Sequence, residues 1–146
     1  MSDANKALAR RVIEETVNKG NFGVLDEVIA SDYTYYEPTV GEVRGQDGFK
    51  GLITMYRNAF PDVTLTIDEQ IAEGDTVVTR WTGRGTHRGE LMGVAPTGKP
   101  VSVKGVIVSR FKKGKLVQDI EHWDVFGLMQ QLGVVKALPK AVPKAA

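Results

Sequence analysis

The spacing of apolar residues changes once along the chain, near residue 61. Before that point it is helical. Leu8, Ala9, Val12, Ile13 and Val17 fall on one side of a helix over residues 6–19. Asp3 is a candidate cap for it, and Gly20-Asn21 a candidate stop. Val24, Leu25, Val28 and Ile29 predict a second, shorter helix. Phe49, Leu52, Ile53, Tyr56 and Phe60 predict a third, ended by Pro61.

After Pro61 the pattern alternates. "VTLTI" sets Val63, Leu65 and Ile67 between threonines, as a half-buried strand does. "AEGD" at 72–75 makes a turn, and "TVVTRWTGR" continues as a second strand. The Gly- and Pro-containing loop "HRGELMGVAPTGKP" leads to a third strand, "VSVKGVIVSRF". The turn "KKGK" then returns the chain along "LVQDIEHWDV". "VFGLMQQL" has the spacing of a short closing helix. Helices first and antiparallel strands after, without βαβ alternation, predict an α+β fold with helices covering one face of a curved sheet. Such a layer leaves room for an apolar pocket. The boundaries expected are one domain over residues 1–135 and a flexible Pro/Ala-rich tail over 136–146.

Composition narrows the chemistry. The 146 residues include 19 basic and 18 acidic side chains, a net charge of +1. That balance leaves no electrostatic footprint for nucleic acid or an anionic membrane. The absence of cysteine excludes thiol catalysis, disulfides, iron–sulfur clusters and thiolate zinc sites. With two histidines, a His-rich metal centre is not expected either, and no cofactor is called for. "MSDANKALARR" lacks the apolar core of a signal peptide and no run approaches a membrane span, so the cytoplasm is the default location.

The chemical question centres on "EHWDVFGLMQQLG", Glu121 to Gly133. Strand parity puts Leu116, Gln118, Ile120, His122 and Asp124 on one face, and Val117, Asp119, Glu121, Trp123 and Val125 on the other. If Asp124 faces the pocket, so does His122, roughly 7 Å along the strand. An apolar pocket raises a carboxyl pKa and suits it to acid–base work. The competing reading makes Asp124 the N-cap of the helix that follows. Asp119 and Glu121 are expected to pair at the surface with Lys104 or Arg110 on the adjacent strand.

The segments "NAFPDVTLTIDEQIAEGDTVVTRWTGRGTHRGELMGVAPTGKPV", "RFKKGKLV" and "WDVFGLMQQLG" together resemble the SnoaL-like polyketide cyclases, also called ester cyclases, of the nuclear transport factor 2-like superfamily. The resemblance runs from about residue 6 to 133. It implies a cone-shaped α+β barrel with three N-terminal helices enclosing a pocket, and a homodimer. It also implies a cofactor-free intramolecular aldol closure of an aromatic polyketide ester, with an aspartate as acid/base at the position of Asp124. The chain departs from the family twice. "YEP" (Tyr36-Glu37-Pro38) replaces a common "HDP"-like triplet, and the strand "GVIVSRF" is less polar than a hydroxylated substrate needs.

The candidate catalytic residues are therefore Asp124 and His122. Tyr36 stands where relatives carry the His, and could donate to a carbonyl oxygen or pack among Tyr33 and Tyr35. His87 could bind ligand at the pocket mouth or anchor the long loop. Trp81, Phe60, Met92 and Ile107 are further candidates for contact with a hydrophobic small molecule. Glu37 would add a second carboxylate if its segment lined the mouth, and would otherwise be solvated. Two other functions compete with a cyclase or isomerase. One is a non-catalytic module binding a small apolar ligand. The other is an epoxide hydrolase, which needs an Asp–Arg–Asp set for which Arg80 is the one inviting strand arginine.

Overall fold

The computed structural model describes residues 2–136. The expected tail lies outside them, apart from Lys136. The order of elements is α1 (Ser2–Ile13), continued by a π-helical turn (Glu14–Asn18), α2 (Val24–Val28), β1 (Ile29–Glu37), β2 (Gly41–Arg44), α3 (Gly45–Ala59), β3 (Thr64–Glu73), β4 (Thr76–Thr86), β5 (Pro100–Lys112), β6 (Lys115–Trp123) and α4 (Val125–Leu132). Six strands form one sheet in the order β2-β1-β6-β5-β4-β3. The α+β class expected from the sequence is the one observed.

Two strands depart from the sequence reading. The segment after α2 is not a continuation of helix spacing: Ile29 already has extended dihedrals and starts β1. β1 enters the sheet beside β6, and this pair is the parallel one, while β1–β2 and the run β3 to β6 pair antiparallel. Helix spacing at Val24 to Ile29 hid the change of period, because β1 buries its alternate residues Tyr33, Tyr35 and Glu37 rather than an aliphatic series.

Irregular pairings bend the sheet. Asp68 is an extra residue in β3, between the pairs Ile67↔Trp81 and Glu69↔Arg80. Val117 is an extra residue in β6, between Leu116 and Gln118. Bulges of this kind increase local twist and turn a strand around a core. The bulge at Val117 also corrects the predicted parity. Leu116 is buried together with Asp119 and Glu121, whereas His122 is exposed.

One face of the sheet packs on α1 and α3, and the core lies between. Phe49, Leu52 and Ile53 of α3 meet Tyr33, Tyr35 and Val77. Phe49 takes both tyrosine rings edge-on, with centroids 6.0 and 5.6 Å away. Leu128 and Leu132 of α4 close one end against Ala59, Phe60, Leu91 and Val101. Among the described residues no helix is long and apolar enough to cross a membrane.

Gly105 shows how tightly the inner sheet face is filled. It pairs with Trp81 on β4 and with Trp123 on β6. A Cβ at this position would lie 2.3 Å from Trp81 Cζ2 and 2.8 Å from Trp123 Cβ. Gly105→Ala is therefore expected to destabilise the fold by about 1–3 kcal/mol through overpacking. Urea unfolding of the variant checks this; an unchanged midpoint would show that the two indoles can shift freely.

Candidate functional site

On the sheet face that meets the helices, the buried acidic groups lie along one line. Three inward positions of β1 (Tyr33, Tyr35, Glu37) meet three of β6 (Asp119, Glu121, Trp123) diagonally: Tyr35 is in register with Asp119, and each β1 side chain bonds the β6 side chain one inward position further along. Tyr33 Oη donates to Asp119 Oδ2 at 2.8 Å, Tyr35 Oη donates to Glu121 Oε1, and Trp123 Nε1 donates to Glu37 Oε2 at 2.7 Å. Ser109 on β5 donates a second bond to Asp119. Glu37 also accepts from the Val40 amide at 2.9 Å and from the Thr39 hydroxyl. Asp119, Glu121 and Glu37 are 5%, 8% and 0% exposed.

Burial governs the titration of two of these groups. Glu121 is pushed up to about 8, first by desolvation, which its bond from Tyr35 only partly offsets; the negative charges of Asp119 and Glu37 push in the same direction. Asp119 is raised to about 6, again by desolvation, against the lowering effect of the Ser109 and Tyr33 hydroxyls. The Tyr33 and Tyr35 hydroxyls are held well above their ordinary range by burial and by the adjacent carboxylates. Both tyrosines therefore remain protonated donors near neutral pH.

Glu121 is placed at a junction. A cavity of about 110 Å³ lies on one side of it, walled by Phe60, Leu65, Trp81, Val103, Trp123 and Leu128 among others. A smaller cavity of about 50 Å³ lies deeper, among Val12, Phe49, Ile107 and Asp119. Tyr35 and Glu121 line both, so their hydrogen bond stands between the two chambers. Among the described residues, Glu121 is the one acidic residue lining the larger chamber. The Trp81 indole N–H is buried with no partner in hydrogen-bond geometry, yet stands near enough to Glu121 to lower its pKa slightly. An unpaired buried donor is costly, and it is available to an acceptor entering the chamber.

Of the residues singled out in the sequence, Trp81 and Phe60 line the larger chamber and Ile107 the smaller one. The others lie elsewhere. Asp124 is exposed and serves as the N-cap of α4, its Oδ1 accepting from the Gly127 amide at 2.8 Å. Its carboxylate lies outside the chamber because Trp123 is the last inward position of β6, and the next residue starts the helix. His122 is exposed on the outer sheet face, its ring 6.0 Å from that of Tyr36, which is 40% exposed. Met92 is exposed on the long loop.

His87 is fully buried beneath that loop. Its Nδ1 accepts from the Thr97 amide at 3.2 Å and its ring stacks on Phe60, with centroids 5.5 Å apart. It anchors residues 87–99 rather than lining the chamber. Arg80 faces outward and pairs with Glu69 at 3.3 Å and Asp68 at 3.6 Å, so no Asp–Arg–Asp set reaches the chamber through it. Among the described residues no three His, Asp or Glu side chains converge as a metal-binding group.

Sequence reasoning placed Asp119 and Glu121 at the surface and left Glu37 as a solvated residue; all three are buried and bonded. The signal was present as two period-two runs, Tyr33-x-Tyr35-x-Glu37 and Asp119-x-Glu121-x-Trp123. Each acceptor in one run needs a donor in the other, and only the parallel pairing of β1 with β6 brings them together.

The wider likenesses agree with this architecture. AclR from Streptomyces galilaeus, a proposed hydroxylase, is 31% identical, with 96% of this chain and 87% of that one covered and a TM-score of 0.83. IdmH from Streptomyces antibioticus, a proposed polyketide cyclase, is 32% identical, with 88% and 98% covered and a TM-score of 0.77. A protein of Catenulispora acidiphila with a ketosteroid isomerase-like fold shares the fold alone, at 18% identity, 89% and 96% coverage and a TM-score of 0.73. No curated protein matches the chain closely enough to add to these. The relatives support a cyclase- or isomerase-type function and the binding of a small molecule. With the model of the SnoaL-like polyketide cyclases matched over residues 7–132, the chain belongs to that family.

Proposed function

We propose that the protein is a cofactor-independent acid–base enzyme that cyclises or isomerises a hydrophobic carbonyl compound, with Glu121 as the acid/base. The observation that carries this reading is the placement of Glu121, a buried carboxyl raised to about 8 and lining a mostly apolar chamber. A base with a pKa near the working pH combines proton-abstracting strength with a usable ionised fraction.

In the proposed reaction the Glu121 carboxylate removes a proton from the carbon next to a substrate carbonyl. The resulting enolate oxygen is met by the unpaired Trp81 N–H, a fixed donor in a site poor in water. The enolate carbon then attacks a second carbonyl, forming the ring bond; in a substrate whose enolate is conjugated with a C=C bond, the dienolate is instead protonated at its far carbon. Glu121 returns its proton to the new alkoxide or to that carbon, and the enzyme is regenerated. Tyr35 holds the carboxyl in place through Oε1.

A second reading is a binding module without turnover, favoured by the apolar lining of the chamber around its single acidic group. The two readings part at Glu121→Gln. For the enzyme, turnover falls about 10²–10⁴-fold while ligand binding is retained. For a module, no turnover is found in either protein.

The pH dependence has a definite sign. In the wild type, kcat/KM is expected to rise with pH and level off above about 8, where the carboxylate form is complete. Stability moves the other way. Glu121 and Asp119 bind protons more tightly folded than unfolded, so the fold gains from them below the ordinary carboxyl range. It loses that gain as pH rises through about 6 and then about 8. Urea unfolding between pH 4 and 9 checks the trend, and Glu121→Gln should flatten its upper part.

Asp124→Ala is expected to cost about 1 kcal/mol of stability through the lost cap, with kcat/KM unchanged. A collapse of turnover in a folded Asp124→Ala protein would return the acid–base role to the strand end.

We infer that two copies pair through the outer sheet face, where Tyr36, Val106 and His122 lie together and exposed, with Val106 directly opposite His122. Val106→Lys should convert the dimer to a monomer in light scattering; a wild type that is monomeric at all concentrations would reject the pairing.

A further inference from the structure

The larger chamber is small for a substrate of several fused rings. Its volume of about 110 Å³ is comparable with the ~150 Å³ cavity that accommodates a single benzene in an engineered core. Two indoles set this size. Trp81 occupies a trench without side chains, where a Cβ on Gly83 or Gly105 would come within 3.0 or 2.3 Å of its ring. It lies low over the sheet and forms the floor.

Trp123 forms a wall, and its ring is held from two sides. Its Nε1 donates to Glu37 Oε2 at 2.7 Å, and it meets the Tyr56 ring edge-on at 86°, centroids 6.0 Å apart. Glu37 has no exposed surface, and its other oxygen takes the Val40 amide and the Thr39 hydroxyl. The Thr39 hydroxyl in turn lies 3.0 Å from Tyr56 Oη. One buried carboxylate thus ties the β1–β2 turn, α3 and β6 to the indole that bounds the chamber. A free Trp123 could swing about its side-chain torsions; bonded to a carboxylate that cannot itself move, it stays.

We propose that Glu37 is a positioning residue that locks Trp123 across the chamber, and that the two tryptophans leave enclosed space for one ring, so that a carbonyl compound of at most two rings fits, its second ring toward the side lined by Arg84 and Gly85. This rests on the chamber being the substrate site. It does not depend on Glu121 being the acid/base, so ring-size selection is tested in the Glu121→Gln background, where binding is measured without turnover.

The probes are 1-tetralone, a two-ring ketone, and 1,8-dihydroxyanthraquinone, which has three fused rings, each titrated by calorimetry. Tetralone is expected to bind roughly tenfold or more tighter than the anthraquinone. Trp123→Leu should shrink that ratio several-fold by admitting the larger ring system. Equal binding of the two probes, no binding of tetralone, or a ratio unmoved by Trp123→Leu would overturn the size restriction.

The lock is read separately, in a Trp81→Phe protein where Trp123 is the sole indole. Glu37→Gln and Glu37→Ala should raise acrylamide quenching of Trp123 by about twofold or more and shift its emission to the red, the alanine more than the glutamine. If neither variant folds, Thr39→Val, which removes one bond to Glu37, carries the same expectation in smaller degree. Quenching unchanged in the folded variants would overturn the role of Glu37.

Discussion

The constraint on which the rest of this structure depends is the parallel pairing of β1 with β6. It aligns three donors with three acceptors, each pair eighty-six residues apart in the chain. Three carboxyl groups in a small domain's interior would each be costly without partners. Here each has at least one: Tyr33 and Ser109 for Asp119, Tyr35 for Glu121, and Trp123, Thr39 and Val40 for Glu37. A one-residue slip of β6 would turn Asp119 and Glu121 outward and put Ile120 and His122 inside; a slip of β1 would turn Glu37 and both tyrosines outward and put Thr34 and Tyr36 inside. The register that builds the core therefore also builds the site.

The rungs are not equivalent, and their differences divide the work. Asp119 is satisfied twice and lines the smaller chamber and not the larger one. Glu37 is saturated by three donors from its own turn and from Trp123, which leaves it a structural anchor at the end of β1. Glu121 lies between. It has a firm bond from Tyr35 and one chamber on either side, so of the three it alone combines a raised pKa with contact to the larger space. On the proposed reading, the carboxyl with the fewest donors is the one left to meet a substrate.

Much of this was legible in the sequence and some was not, for physical reasons that particular residues show. The helices at Leu8 to Val17 and Phe49 to Phe60, the hairpin of β3 and β4, and the closing helix after Asp124 all follow from local periodicity, because each buries one regular face. β1 does not. Its inward residues are two tyrosines and a glutamate, which read as polar until their partners on β6 are known. Parity separated Asp119, Glu121 and Trp123 from His122 and Asp124, but parity has no sign. Which face is inside depends on what lies across the sheet, and local pattern contains no information about that. The bulge at Val117, which brings Leu116 to the same side as Asp119, is equally invisible in a period-two count.

At the strand end, side-chain direction separates two carboxyls that lie close together along the chain. Asp124 follows the last inward residue of β6, and its backbone already leaves the extended region, with ψ of 74°. A Cβ at Gly127 would lie 2.1 Å from Asp124 Oδ2, so the carboxylate folds over the first turn of α4 in space that only a glycine leaves open. There its Oδ1 accepts from the Gly127 amide at 2.8 Å and the side chain is open to solvent. Three residues earlier the same strand carries a carboxyl under the opposite conditions. Glu121 is removed from water, bordered by other carboxyls and supported by a single phenol. A proton-transfer group in this fold must be ionisable and must also be kept from ionising too easily. Along β6, that combination arises where the inward parity of the strand passes between the two chambers, at Glu121.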